Sequence, residues 1–250
     1  TKGHNIFYKS PPTRSRDFVT FVSSGFPRVF RRNIWFFLAA SALFFLPLAI
    51  TWVVVQNRPE LAARILPAQQ LDMMEEMYAE AEFEEYDASR AAMGGFYVRN
   101  NVGIALRCFA MGVLLGTGTV YVLLTNGIIL GAVSGYIVGM GHGDNFLSFV
   151  VSHGSFELTA IAVAGGAGLI LGDAIVHPGR QSRIDSLRTR GLEAVQIACG
   201  AAVMLMVAAM IEAFWSPAPI ADGIKYAGGA LLWLLVILYL SLAGRGEVAE

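Results

Sequence analysis

The sequence predicts an all-α membrane protein, a polytopic bundle of about six transmembrane helices. Of its 250 residues, 55% are hydrophobic and 15% are charged, and the mean hydropathy is +0.56. Soluble domains carry roughly 25% charged residues, so the composition disfavours an ordinary soluble enzyme. The chain also contains several apolar runs near the length of about 20 residues that crosses a bilayer as a helix. A net charge of −1 argues against a nucleic-acid partner, which would require a basic surface.

Six apolar runs are the predicted spans. They cover residues 34–55, 102–124, 127–141, 146–175, 192–215 and 226–243. The third run is short for a bilayer, and the fourth is too long for one simple span. Because His153-Gly154 interrupts the fourth run, we expect a helix broken at this point, with residues 146–152 forming a short re-entrant helix. Thr125 and Asn126 fit an inner turn between the second and third spans.

The distribution of lysine and arginine predicts the orientation. Seven of these residues precede the first span, four lie between the fourth and fifth spans, and Arg245 follows the last span. With six spans these twelve share one side, against five on the other. The more basic side is expected to be cytoplasmic. Both termini are therefore predicted in the cytoplasm, and the location is a bacterial or archaeal cytoplasmic (inner) membrane.

Two regions follow from these spans. Residues 1–33 form a cytoplasmic N-terminal segment, expected to be truncated because the chain begins with Thr1 rather than methionine. Residues 34–250 form a single transmembrane domain, and the loop 56–101 is its acidic, helical extracytoplasmic part.

The predicted helix of this loop covers about residues 69–90. Between positions 72 and 87 the loop carries eight acidic residues and no basic one. Charge runs are usually solvated faces, so we interpret this helix as lying over the bundle with its acidic face in water. A docking surface or a weak cation site is the alternative. The apolar side of the helix is expected to contain Met73, Met74, Met77, Tyr78 and Ala81.

Glycines recur at every fourth position in three predicted spans. This spacing lets helix backbones approach closely in lipid, where packing drives association. It predicts tight packing against a helix of the same chain, and packing within a homodimer is the alternative. The positions are Gly112, Gly116, Gly127, Gly131, Gly135, Gly139, Gly168 and Gly172.

Polar residues inside the spans predict an intramembrane polar cluster. Its members are Asn100, Asn101, Arg107, His153, Glu157 and Glu212. Charges within spans are costly and indicate a functional site by default. Arg107 is expected to be neutralised by Glu157, Glu212 or both. The cluster is either a buried ion-pair network that holds helices in register or a pocket for an ion or a lipid headgroup.

Sequence signatures of catalysis are lacking. His153 and Glu157 do not have the second histidine of an HExxH metalloprotease site, and neither a GxSxG elbow nor a phosphate-binding P-loop occurs. The chain is therefore expected not to be an enzyme, and no cofactor or metal is predicted.

Several short motifs resemble the stage II sporulation protein M family. They are Arg99-Asn100-Asn101-Val102, Arg107, Phe109-Ala110, Gly116-x-Gly118-Thr119, Asn126-Gly127, His153-Gly154-x-x-Glu157-Leu158 and Ile211-Glu212-Ala213-Phe214-x-x-Pro217. The stretch that begins at His153 is the most specific, and the resemblance covers about residues 28–242. It implies a multi-helix membrane protein. In spore formers the family is associated with engulfment, where it helps to assemble peptidoglycan-degrading partners at the membrane.

Two functions follow as hypotheses. The first is a non-enzymatic membrane scaffold that recruits envelope partners through its acidic outer loop or its basic inner segments. The second is a transporter or a lipid- or ion-handling protein that uses the layer of Arg107, His153, Glu157 and Glu212. They differ in one observable property, because a closed layer favours the scaffold and a cavity open to water or lipid favours transport.

Overall fold

The computed structural model describes residues 14–79 and 88–246, and within these ranges every regular element is helical. The predicted all-α class is therefore confirmed. Short π-helical or 3₁₀ segments occur at Phe21–Gly25, Pro59–Arg64 and Met111–Val113. The α-helices are α1 (Arg14–Thr20), α2 (Phe26–Arg32), α3 (Ile34–Asn57), α4 (Ala68–Ala79), α5 (Ala88–Ala110), α6 (Thr117–Gly139), α7 (Gly143–Val176), α8 (Arg183–Phe214) and α9 (Asp222–Leu242).

Among the described helices, five are long and apolar enough to cross a membrane, namely α3, α6, α7, α8 and α9. Helix α5 falls below this level because polar residues such as Arg99, Asn100 and Asn101 interrupt it. It nevertheless runs beside α7 in the same direction, with Asn101 against Glu157 at one level. Helix α5 thus supplies a sixth and less apolar pass through the bundle.

The predicted second span, 102–124, is wrong because a break divides it. Helix α5 ends at Ala110 and gives way to a 3₁₀ turn, after which Leu115 and Gly116 adopt positive φ angles of 55° and 79°. Glycine adopts this left-handed conformation at little cost, so Gly116 allows the chain to reverse here. Helix α6 then begins at Thr117 and includes the short third span up to Gly139, two residues before its predicted end.

The predicted inner turn at Thr125 and Asn126 is wrong for the same reason. Both residues lie inside α6. The Thr125 hydroxyl donates to the Tyr121 carbonyl at 2.7 Å, and the Asn126 amide donates to the Val122 carbonyl at 2.7 Å. These bonds to the preceding helical turn satisfy the polar groups without breaking the helix.

Helix α7 is continuous for 34 residues, so the predicted break at His153-Gly154 and the re-entrant helix are both wrong. Neighbouring helices α3, α5, α6, α8 and α9 surround it, and this packing outweighs the weak helix propensity of Gly154. The helix is about 51 Å long at 1.5 Å per residue, which exceeds a hydrocarbon core of about 30 Å. Its length explains why the apolar run was too long for one simple span.

Glycines of α6 lie directly against the backbone of α3. A Cβ atom at Gly127, Gly131 or Gly135 would overlap the carbonyl oxygens of Phe44, Leu48 and Trp52, respectively. The fourth glycine, Gly139, faces the Gln56 carbonyl in the same way. The residue numbers of the contacting pairs increase in the same direction along both helices, so α3 and α6 run parallel.

A second set of glycines joins the α5–α6 break to α7. Gly112 lies against the backbone of Gly168, and Gly116 lies against that of Gly172. The Thr119 hydroxyl adds a hydrogen bond of 2.7 Å to the Cys108 carbonyl at the same place. Each of the eight glycine positions singled out in the sequence thus faces a helix of the same chain.

Helix α4 begins at Ala68, close to its predicted start, and residues 80–87 of the predicted helix lie outside the described part. Tyr78 is buried and its ring packs edge-on against Phe146, with centroids 5.3 Å apart. Met74 is half-buried, whereas Met73 is 54% exposed and does not belong to the apolar side. The side chains of Met77 and Ala81 also lie outside the described part.

The two ends of the bundle differ in chemistry. One end, here called the aromatic end, carries Trp52, Trp215 and Tyr226 together with α4. Tryptophan and tyrosine are enriched where a membrane meets water. The opposite end, here called the basic end, holds an Arg190–Asp173 ion pair at 2.5 Å and an Arg32–Glu193 ion pair at 2.8 Å.

Both ends of the described chain meet at the basic end. Arg28 donates from Nε to the Gly244 carbonyl at 2.6 Å and from Nη2 to the Gly246 carbonyl at 3.0 Å. Arg31 donates to the Leu240 carbonyl at 3.1 Å. Cations satisfy the free carbonyl groups at a helix C-terminus and favour its dipole. The segment before α3 is thereby fastened to the end of α9.

Candidate functional site

A cluster of polar side chains, all buried except the half-buried Asn101, lies near the aromatic end, where α5, α7, α8 and α9 converge. We call this set the buried polar cluster. Burial of polar groups is tolerated when they bond to one another. The members are Asn101, Ser152, His153, Glu157, Glu212, Ser216 and Lys225.

Glu157 connects two helices of the cluster. The Asn101 amide on α5 donates a hydrogen bond to Oε1 of Glu157 on α7. The second oxygen, Oε2, lies 3.9 Å from Nε2 of His153 one helical turn earlier. His153 and Glu157 therefore share one face of α7, as their four-residue spacing predicts.

His153 and Ser152 connect α7 to the segment between α8 and α9. Nδ1 of His153 lies 2.9 Å from the Ser216 hydroxyl. The Trp215 indole N–H donates to the Ser152 hydroxyl at 3.0 Å. Lys225, in the first turn of α9, donates from Nζ to the Ser216 carbonyl at 3.0 Å. These bonds hold the α8–α9 connection against the middle of the cluster.

Glu212 on α8 differs from the other members. The residue is 4% exposed, and its Oε2 atom has no hydrogen-bond partner among the described residues. Glu157, on the neighbouring helix α7, is also buried and is 7% exposed.

Two predicted members lie outside the cluster, namely Asn100 and Arg107. Both residues are exposed, and the Arg107 Nε donates to the Gly103 carbonyl of its own helix at 3.0 Å. The predicted pairing of Arg107 with Glu157 or Glu212 is therefore wrong. The seven-residue spacing does place Asn100 and Arg107 on one face of α5, but Asn101 occupies the inward face. Packing against α7 sets this rotation, which the spacing alone leaves open.

Several members of the cluster were not predicted from the sequence, above all Lys225, which is only 3% exposed. Lys225 is one of the five lysines and arginines counted on the less basic side, because it precedes the last apolar run by one residue. A signal was present, because Asp222 and Gly223 mark a helix start that places Lys225 in the first turn. Ser152 and Ser216 carry no comparable signal, since serines are common at span ends.

Metal binding requires several ligands at one place. Within residues 14–79 and 88–246, no group of three or more His, Cys, Asp or Glu side chains is arranged to hold a metal ion. The cluster consists instead of hydroxyl, amide, imidazole and amino groups around two acidic side chains. Its chemistry is that of hydrogen bonding between helices.

The fold and the cluster define a polytopic α-helical membrane protein whose buried polar groups join its helices. The family model described as Stage II sporulation protein M matches residues 40–217. This match covers more than half of the 250 residues, and the chain belongs to that family. It extends from α3 to Pro217 and includes every cluster member except Lys225. No curated protein and no solved structure matches the chain.

Proposed function

We propose that the chain is a non-enzymatic scaffold of the cytoplasmic membrane that binds envelope proteins and holds them together. One observation carries this proposal, namely the closure of the buried polar cluster. His153, Glu157 and Glu212 are only 4%, 7% and 4% exposed. Side chains buried to this degree lie inside the helix contacts and are not presented to a substrate. The function then resides in the outer surfaces of the bundle.

Two surfaces outside the membrane are suited to partners. At the aromatic end, Asp72 and Met73 of α4 are exposed, while Glu75 accepts a hydrogen bond of 2.8 Å from the Tyr136 hydroxyl. This bond fixes the helix on the bundle and leaves its other face free. At the basic end, Ile184 is 66% exposed at the start of α8 beside exposed Arg180 and Arg183.

The basic end is proposed to face the cytoplasm. It carries Arg28, Arg31, Arg32 and Arg190 among the described residues, and the positive-inside rule assigns such an end to the cytoplasm. The cations are dense enough to act on one another, because burial and the neighbouring Arg245 and Arg28 lower the pKa of Arg31. Helix α4 then lies outside the cell, where peptidoglycan-associated partners are found.

Site-specific photo-crosslinking in native membranes tests the scaffold. A photoreactive residue is placed at Met73 on α4, at Ile184 at the basic end, and at the control position Met206, which is 67% exposed within α8. We expect discrete protein adducts at Met73 or Ile184 that persist in a Glu157→Gln background. Only lipid adducts at all three positions would contradict a scaffold.

One observation favours the second candidate function, ion handling. The Oε2 atom of Glu212 is buried without a hydrogen-bond partner among the described residues, and a carboxylate in that situation can bind a proton or a cation. Purified protein in vesicles is tested for proton and sodium flux. Flux that disappears in a folded Glu212→Gln variant would establish ion handling, whereas equal flux through wild type and empty vesicles would reject it.

A further inference from the structure

Arg107 is placed near the middle of the membrane by the register of α5 on α7. Asn101 and Glu157 are 56 residues apart in sequence, and the same offset relates Gly112 to Gly168. This register sets Arg107 beside Val163, ten residues from both His153 and Asp173. At 1.5 Å per residue, its Cα atom is about 15 Å along the helix axis from the level of His153 and about 15 Å from the level of Asp173.

The Arg107 side chain points away from the bundle. The residue is exposed, and its neighbours Leu106 and Leu114 are 62% and 51% exposed. Its guanidinium reaches back along α5, where Nε donates to the Gly103 carbonyl. No carboxylate pairs with it among the described residues. The surrounding surface is apolar, as expected of a surface in contact with lipid.

A cation at this position is unfavourable in a lone bundle. Arginine stays charged in proteins, and a charge at the centre of a bilayer is costly unless another group compensates it. One bond to a carbonyl of its own helix leaves most of the guanidinium donors without an acceptor. The same residue becomes favourable when a carboxylate from another helix meets it in the low-dielectric membrane.

The face around Arg107 also has the shape of a helix contact. Gly103 lies one helical turn before Arg107, and Ala110 lies nearly one turn after it. A Cβ atom at Gly103 would meet only the Arg107 guanidinium. Small residues let a second helix approach closely in lipid. Gly103, Leu106, Arg107 and Ala110 form a stripe on α5, which exposed Leu114 continues just beyond the end of the helix; these five residues are here called the Arg107 face.

We propose that the Arg107 face docks a transmembrane helix of another protein that carries an aspartate or glutamate at the matching depth. This inference rests on the proposed scaffold function and names the chemistry of one of its partners. A second copy of this chain fits poorly, because Glu157 and Glu212 are buried, and Glu157 lies about 9 Å along α7 from the level of Arg107. A twofold contact through this face would bring two arginines together.

A synthetic transmembrane helix provides the test. A leucine–alanine peptide of about 20 residues with one central glutamate is compared with the same peptide carrying glutamine. Association with the full chain, labelled at the exposed Cys199, is measured by energy transfer in phosphatidylcholine vesicles. We expect the glutamate peptide to bind about threefold to thirtyfold more tightly. Arg107→Leu should abolish this preference, and Arg107→Lys should retain most of it.

Two further variants sharpen the result. Arg107→Glu should reverse the preference towards a peptide with a central lysine, and the control Met206→Leu on α8 should leave the glutamate preference unchanged. Equal binding of the glutamate and glutamine peptides, or a preference that persists in Arg107→Leu, would overturn the proposal. Loss of the preference when phosphatidylglycerol is added would also overturn it, because a lipid headgroup would then occupy Arg107.

The outcome is separable from that of the crosslinking experiment, since the peptide assay needs no cellular partner. Adducts at Met73 without a glutamate preference would support the scaffold function and reject the docking of a transmembrane helix on the Arg107 face. A glutamate preference without adducts at Met73 or Ile184 would retain the Arg107 face and reject the two surfaces outside the membrane.

Discussion

The Asn101 side chain donates a hydrogen bond to Glu157 and thereby joins α5 to α7 at the level of the buried polar cluster. Glu157 is 7% exposed, so water does not replace this bond easily. The contact also agrees in register with the close approach of Gly112 to Gly168 further along the same helices. One polar pair near the aromatic end and one glycine pair towards the basic end therefore position α5.

Replacement of Asn101 by alanine should destabilise the protein. The variant leaves the Glu157 carboxylate without its amide donor, and an unsatisfied buried group costs about 1–3 kcal/mol. The neighbouring Asn100→Ala change is the control, because Asn100 is exposed and its loss should cost less than about 0.5 kcal/mol. Thermal unfolding in detergent measures both, and equal melting temperatures for the two variants would show that the bond contributes little.

Enlarging the glycines of α6 should separate it from α3. Gly131→Leu or Gly135→Leu would push a side chain into the α3 backbone, which overlaps the Cβ position of either glycine. Overpacking of this kind costs about 1–3 kcal/mol or more. Gly223→Leu is the matched control, since nothing lies within 4 Å of its Cβ position. Folded yield and melting temperature are the measurements, and unchanged values in both α6 variants would mean that this face does not hold the two helices together.

Removal of Arg107 should leave the isolated protein as stable as wild type. The side chain is exposed and bonds only to the Gly103 carbonyl of its own helix, so Arg107→Leu should alter the unfolding free energy by less than about 0.5 kcal/mol. Melting curves of the purified protein in detergent provide the comparison. A large loss of stability would indicate that Arg107 has a partner inside the bundle, such as the carboxylate pairing predicted from the sequence.

Labelling of single cysteines tests the orientation. Helix α4 and the α7–α8 connection lie at opposite ends of the bundle, so Met73→Cys and Gln181→Cys should differ in accessibility. With the basic end in the cytoplasm, a membrane-impermeant maleimide should label Met73→Cys in intact cells, and Gln181→Cys only after permeabilisation. The two native cysteines are replaced beforehand. If both positions react from the same side, the proposed orientation is wrong.

Much of the fold is predictable because of one simple rule, namely that a helix needs about 20 apolar residues to cross a bilayer. Apolar runs near bilayer length correspond closely to α3, α8 and α9, and glycine spacing indicates close packing. The rule fails at the α5–α6 break, because Thr125 and Asn126 resemble a turn yet bond to carbonyls of their own helix. The actual turn depends on Gly116, which sits inside an apolar run and looks like a packing glycine.

The site is less predictable than the fold because helix rotation depends on tertiary packing. Spacing places Asn100 and Arg107 on one face of α5, but it does not reveal that this face points outward. Spacing does place His153 and Glu157 on one face of α7, but only because the predicted break between them is absent and the helix is continuous. Lys225 lies beyond a connection between two helices, and its bond to the Ser216 carbonyl depends on how that connection folds.

The buried polar cluster is closed to water in the folded protein, and the accessibility of Ser152 tests this closure. Ser152 is a member of the cluster on α7, is 0% exposed and accepts a hydrogen bond from Trp215. In a chain without other cysteines, Ser152→Cys should resist a small water-soluble thiol reagent when the protein is folded and should react after denaturation, while Met73→Cys reacts at once. Rapid labelling of Ser152→Cys in the folded protein would reveal a water-filled path into the cluster and would show that the cluster is open.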